Sequence, residues 1–175
     1  GSYYAGYIEY TQQDYANALI DLKRAELSSV YATVVPVYIA RTLFKQGKND
    51  EVISYYQSVK NREGVNQLGE IALLASEVYF RKADYTAALP GYQVYIDENK
   101  SVDRGVLYRA GYAALKAEQN EPAIDYLKRA ALGSDSVASY SSYFLGSLYL
   151  KTNQKPLALS GFEMARKFKG DKVLA

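Results

Sequence analysis

The chain has 175 residues, 49% hydrophobic and 23% charged, with 21 basic and 19 acidic side chains leaving a net charge of +2. That is enough for a sizeable core, and the balance is too even to point to nucleic acid or an anionic membrane as partner. With no cysteine and no histidine, thiolate nucleophiles, disulfides, thiolate or imidazole metal sites and the commonest general base are all excluded, whereas tyrosine occurs 19 times.

Taken in chain order, hydrophobic periodicity and breakers predict helices over 3–12 and 15–28, 34–46 and 49–60, 66–82 and 85–97, 103–117 and 121–132, 137–151 and 155–168. Gly1 and Ser2 read as a tag remnant, and 170–175 as a turn opening a further helix. No apolar run is long enough to cross a bilayer. Pro36 falls in a first helical turn, and Pro122 and Pro156 just after breaks, where a missing N–H costs nothing. Pro90 lies inside its helix and is followed by Gly91, which predicts a kink. The stretch 61–65 is too short for an interdomain linker, so the sequence reads as one repeat domain over 3–169. Its repeats span about 3–30, 34–62, 66–98, 103–133 and 137–169.

The repeats come from spacing. A small residue is followed twelve positions later by another small or β-branched one: Gly6 and Ala18, Ala40 and Val52, Ser76 and Ala88, Gly111 and Ala123, Gly146 and Ala158. Successive second members are 34, 36, 35 and 35 residues apart. Four residues beyond each comes a large apolar side chain, namely Leu22, Tyr56, Tyr92, Leu127 and Phe162. Three further on stand Ala25, Val59, Tyr95, Ala130 and Ala165, of which only Tyr95 is large. Between the members of each pair lies a polar break, such as Gln46-Gly47-Lys48 or Glu118-Gln119-Asn120. Each unit is thus helix, tight turn, helix, with small residues where two helices approach and a large one beside the contact.

This pattern resembles the tetratricopeptide repeat over nearly the whole chain. The resemblance implies an all-α, right-handed α-α superhelix of five helix hairpins that binds proteins. The sequence departs from the family in lacking its tryptophan, in Val52 and in Tyr95. Stretches such as 4–10 and 143–151 are similar in style to repeats of long secreted tetratricopeptide proteins of Bacteroidetes, which implies a periplasmic or envelope location and a larger parent chain.

In this family the first helices line a concave surface, and the residues three before, one after and five after the small residue face into it. Carried over, the first row is Tyr3, Val37, Leu73, Tyr108 and Tyr143. The second is Tyr7, Arg41, Glu77, Tyr112 and Ser147, and the third is Thr11, Lys45, Arg81, Lys116 and Lys151. Tyrosines beside a basic row suit an extended, acidic peptide. The plainer reading of the basic residues is that cations near a helix C-terminus complement its dipole, and Tyr56, Tyr79, Tyr92 and Tyr149 read as packing. The family's two-carboxylate clamp needs asparagine in the central row, and none is there.

Other chemistries are poorly supplied. Glu70 and Glu77 lie seven residues apart on one helical face, but Asp84 reads as a helix cap, and phosphate loops, zinc spacings and nucleophile motifs are missing. A single-stranded nucleic acid would meet Glu70 and Glu77 in mid-groove. The sequence therefore predicts a protein-interaction scaffold with no cofactor, no metal and no catalysis, the alternative being a structural spacer. Repeat ends exposed by truncation would self-associate artificially, since natural arrays carry polar caps.

Overall fold

Local signals set the helix boundaries. Asp14, Asp84, Asp103 and Asp135 each turn a carboxylate onto backbone N–H groups of the first helical turn that follows, which supplies otherwise orphaned donors with a partner. Asp84 accepts from Ala87 N–H at 3.2 Å, the capping role read from the sequence. The computed structural model describes residues 1–167, so the helix expected at 170–175 lies outside the described residues.

Among the described residues there are ten helices and no strand. They are α1 (Ser2–Thr11), α2 (Tyr15–Glu26), α3 (Pro36–Lys45), α4 (Asn49–Val59) and α5 (Leu68–Arg81), then α6 (Tyr85–Glu98), α7 (Arg104–Lys116), α8 (Asn120–Ala130), α9 (Ser136–Lys151) and α10 (Lys155–Lys167). Most boundaries fall within two residues of those read from the sequence. The connection from α2 to α3 is longer than expected: residues 27–35 form turns and bends, and Pro36, which has no N–H to leave unpaired, opens α3.

The turn inside each pair repeats one device. Gln13, Gly47, Ala83, Glu118 and Asn153, spaced as the repeats are, all hold φ between 58° and 69°. In four of the turns the next N–H reaches back over the helix end: Asp14 to Glu9 O at 2.9 Å, Lys48 to Leu43 O at 3.0 Å, Gln119 to Ala114 O at 2.9 Å and Gln154 to Tyr149 O at 2.7 Å. This Schellman geometry satisfies terminal carbonyls and reverses the chain sharply. Only Gly47 has the residue for which left-handed backbone is free of cost. The other four carry the strain of a β-carbon there, of the order of 1 kcal/mol each.

The chain packs as two compact units. Unit 1 is Gly1–Lys82 with Pro90–Glu98, and unit 2 is Ala83–Leu89 with the chain from Asn99 on. Pro90 does not break α6, which continues as α-helix on both sides of it. The core of unit 1 is built from Ala18, Leu22, Val35, Ile39, Leu43, Val52 and Val78, all nearly inaccessible, with Val37, Ala40, Val59 and Ile71 beside them. In unit 2, Leu127, Ala131 and Leu145 form a cluster flanked by Tyr108, Ile124, Phe144 and Tyr149.

The small residues of the first helices have the role the spacing implied. A β-carbon on Gly6 would stand 2.9 Å from Leu22 Cγ, one on Gly111 2.7 Å from Leu127 Cγ, and one on Gly146 2.9 Å from Phe162 Cδ1. Each glycine receives the large residue of its own second helix, and the missing side chain sets the helix separation.

Candidate functional site

The twelve candidate site residues fall six to each unit. In unit 1, α1 and α3 carry tyrosines into ring contacts. Tyr3 stacks on Tyr31 with centroids 4.7 Å apart and planes 15° apart. Tyr7 meets Tyr38 edge to face at 5.4 Å. The Arg41 guanidinium lies over the Tyr38 ring at 5.4 Å and grips Glu70 with two hydrogen bonds, Nε to Oε1 at 2.6 Å and Nη2 to Oε2 at 2.7 Å. A forked, charge-assisted pair of this kind fixes both side chains.

Arg81 sits over the Phe44 ring at 4.7 Å, and its Nε donates to Glu77 O at 3.3 Å. Glu77 Oε1 accepts from the Tyr92 hydroxyl at 3.1 Å. Glu70 and Glu77 therefore have separate employment, one with a guanidinium and one with a phenol, and do not form a carboxylate pair. Lys45 is exposed at the end of α3. Val37 corrects the first row of the carried-over pattern: it is 1% exposed and packs with Ala40, Val59 and Ile71. Valine is too short to reach the surface that tyrosine reaches from the equivalent place.

In unit 2, α7 and α9 supply Tyr108, Tyr112, Lys116, Tyr143, Ser147 and Lys151. Tyr112 receives Phe144 edge to face at 5.1 Å and Tyr85 at 5.2 Å, while the Lys116 ammonium lies 5.4 Å from its ring centroid. Tyr108 packs at 6.4 Å from Tyr140, and Tyr143 at 5.3 Å from Phe144. Ser147 donates to Tyr143 O at 3.1 Å and so spends its hydroxyl on its own helix. Lys151 approaches Glu118 Oε1 at 3.9 Å.

The same arrangement occurs in both units. The aromatic two residues before the small residue of one first helix (Tyr38, Phe144) stands edge-on to the tyrosine just after the small residue of the preceding first helix (Tyr7, Tyr112). A cation lies on a ring of each pair. Edge-to-face rings and cation–ring contacts each contribute about 0.5–1.5 kcal/mol. Tyr31, Tyr38, Phe144 and Glu70 were missed as partners. The recurrence of Tyr4, Tyr38 and Phe144 at one repeat position was the available signal.

Burial raises the pKa of Tyr3, Tyr10, Tyr56 and Tyr108 above the ordinary tyrosine value; for Tyr55 burial acts first, and its hydrogen bond to Glu26 at 2.8 Å adds to the rise. A raised folded-state value means that the neutral phenol stabilises the fold. That contribution is complete below a pH of about 10, the unfolded-state value, and disappears as pH rises through the folded values. Melting temperature is therefore expected to hold between neutrality and pH of about 9 and to fall steeply above about 10, as checked by circular dichroism.

A recess of about 550 Å³ between α8, α9 and α10 contains Asp135 and three serines. Asp135 is held below the usual carboxylate range, first by Ala138 N–H and then by Arg104, the opposite of a carboxyl tuned to donate a proton. Among the described residues no cluster of acidic side chains could hold a metal ion, and no helix is long and apolar enough to cross a membrane.

Helix pairs at a 34- to 36-residue period, left-handed turns and small-to-large hairpin contacts define a tetratricopeptide-type, all-α repeat fold. Solved structures of MamA share it. MamA AMB-1 superposes with a TM-score of 0.69 at 18% identity, covering 97% of this chain and 91% of that one. MamA MSR-1 gives 0.64 at 18%, covering 95% and 94%. MamA 41-end from Desulfovibrio magneticus RS-1 gives 0.64 at 16%, covering 96% and 93%. At these identities the likeness concerns the fold. No family model and no curated protein matches the sequence.

Proposed function

We propose that this chain is a protein-interaction scaffold whose first-helix faces receive an extended peptide or partner segment. The observation that carries this reading is the recurring aromatic pair with a cation on it, Tyr7 with Tyr38 and Tyr112 with Phe144, together with the exposure of Tyr7 and Tyr143, each 40% exposed. Phenol rings fixed by their neighbours offer contact area and a hydroxyl with little rotamer entropy left to lose. Arg41 is already neutralised by Glu70, so attraction to acidic groups falls to Lys45, Arg81, Lys116 and Lys151. Tyrosine contact would supply affinity, and those four cations orientation and on-rate. A second reading, a structural spacer whose partners bind elsewhere on a parent chain, is favoured by the internal pairing of Arg41 and by the closeness of Lys151 to Glu118.

A random peptide display library separates the two. Peptides selected on the wild-type chain should lose at least about tenfold in affinity against a Tyr7→Ala/Tyr143→Ala double variant, each ring being worth about 1 kcal/mol or more. Acidic members of the set should also weaken against Lys45→Glu/Arg81→Glu/Lys116→Glu/Lys151→Glu. Peptides indifferent to both variants, or no selected peptide at all, would leave the spacer as the reading.

A further inference from the structure

We propose that the seam between the second helices α8 and α10 is a docking site for a helix of a partner protein, which inserts one tyrosine there and sets an acidic side chain against Lys128. The inference rests on what the chain itself places in the equivalent seam of unit 1. There Tyr55 of α4 packs against the core and reaches α2, donating its hydroxyl to Glu26 at 2.8 Å, while Arg62 holds the same carboxylate at 2.7 Å. A phenol with a polar partner closes the gap between the two second helices.

Tyr55 stands three residues after Val52 in its helix, and Glu26 eight after Ala18 in its own. At the same offsets the later repeats carry Lys60 and Gly91, Ile96 and Tyr126, and Ala131 and Gly161. Both members are small only on α8 and α10. The seam there holds a recess of about 210 Å³, with α8 and α10 as walls and α9 as floor. A cavity of about 150 Å³ admits benzene, so one aromatic side chain fits. Three consecutive helices of unit 2 enclose the recess and two small side chains open it, so the space does not arise from an uncovered end.

The lining narrows the occupant. Leu145 is buried in the floor, while Leu132, Leu157 and Met164 stand at the mouth, 73%, 48% and 48% exposed. Ser142 lines the same space at 3% exposed, and its hydroxyl has no hydrogen-bond partner among the described residues. A buried hydroxyl in that state favours a ring that brings a hydroxyl of its own, as tyrosine does and phenylalanine does not. Lys128 is the one charged residue of the lining and makes no ion pair among the described residues, so a carboxylate beside the tyrosine is its complement. The exposed leucines call for an apolar stripe around the ring, which a helix with anchors one turn apart supplies. None of the twelve groove residues lines the recess, so this site is independent of the function proposed above.

Met164 is the one methionine of the chain and lies at the recess, so a carbon-13-labelled methionine methyl gives a single NMR reporter in the full protein. The probes are 4-hydroxyphenylacetate, phenylacetate without its hydroxyl, p-cresol without its carboxylate, and a capped helical peptide of about 15 residues. The peptide has leucines about one turn before and after its tyrosine, and a glutamate beside it. All four are expected to move the Met164 methyl saturably. The peptide should bind at least about tenfold more tightly than 4-hydroxyphenylacetate, because its leucines meet Leu132 and Leu157. Phenylacetate should bind about threefold more weakly than 4-hydroxyphenylacetate, a difference that Ser142→Ala erases. For p-cresol the loss should be about twofold, and Lys128→Ala erases it. Ser160→Trp, which fills the mouth from an exposed position, should abolish every response, with circular dichroism confirming that the variants are folded. A methyl that does not move saturably, a response that survives Ser160→Trp, or probe differences that are absent from the wild type or survive Ser142→Ala and Lys128→Ala would each overturn the proposal. A fragment that binds more tightly than the peptide would make the recess a small-molecule site and overturn the partner helix.

Discussion

Replacing Gly161 by alanine is expected to destabilise the chain by about 1–2 kcal/mol, although the same change in an open helix stabilises it by nearly 1 kcal/mol. A β-carbon there would stand 2.9 Å from Gly146 Cα, Gly146 N and Ser142 O. All three are backbone atoms of α9, so relief requires a helix to retreat and not a side chain to rotate. Gly91 occupies the equivalent place in α6, and its β-carbon would lie 2.7 Å from Ala72 O of α5. Gly91→Ala should therefore carry a similar penalty. Gly105 is the control: its β-carbon would meet side-chain atoms only and no helix backbone, Asp103 Oδ1 at 2.9 Å and Arg109 Nη1 at 3.4 Å. Urea titration of the three variants checks the ordering, and a Gly161→Ala protein as stable as wild type would show that α9 and α10 can separate at no cost.

Those glycines also mark where reading the sequence stopped. The pair of small residues twelve apart was legible because it recurs in every repeat, and Gly6, Gly111 and Gly146 meet the large residues that the spacing named. Gly91 and Gly161 recur only twice, against Asp21, Tyr55 and Tyr126 in the other repeats, so no period exposed them. Beside Pro90, Gly91 read as part of a kink, and its close approach to Ala72 of α5 had no local signal. The turn device was half legible: the polar breaks were plain, but left-handed backbone at Gln13, Ala83, Glu118 and Asn153 was not, since only Gly47 advertises it.

At the candidate site the tyrosines and cations were legible one by one, because family offsets place them. Their partners were not. Arg41 binding Glu70 joins residues 29 apart in sequence, a contact made by packing of α3 beside α5 and signalled by no local spacing. Val37 shows the converse: an offset fixes a direction, and side-chain length then decides whether the surface is reached.

Truncating Tyr92 is expected to cost more stability than either Gly161→Ala or Gly91→Ala. Its side chain is fully buried, at 0% exposed, its ring meets Phe80 edge to face at 6.4 Å, and its hydroxyl donates to Glu77 Oε1 at 3.1 Å. Tyr92→Ala removes a whole aromatic ring from a site with no solvent to refill it, which costs about 3–5 kcal/mol. Tyr92→Phe keeps the ring and deletes one hydrogen bond to a carboxylate, for about 1–2 kcal/mol. The comparison separates packing from hydrogen bonding at a residue that follows directly on Pro90 and Gly91, where α6 passes into unit 1. In urea titrations the alanine variant should lower the midpoint several times more than the phenylalanine variant, with the slope unchanged in both. Equal shifts would mean that the hydroxyl holds the ring in place. A reduced slope for Tyr92→Ala alone would instead mean that unit 1 loosens at Tyr92 before the rest of the chain unfolds.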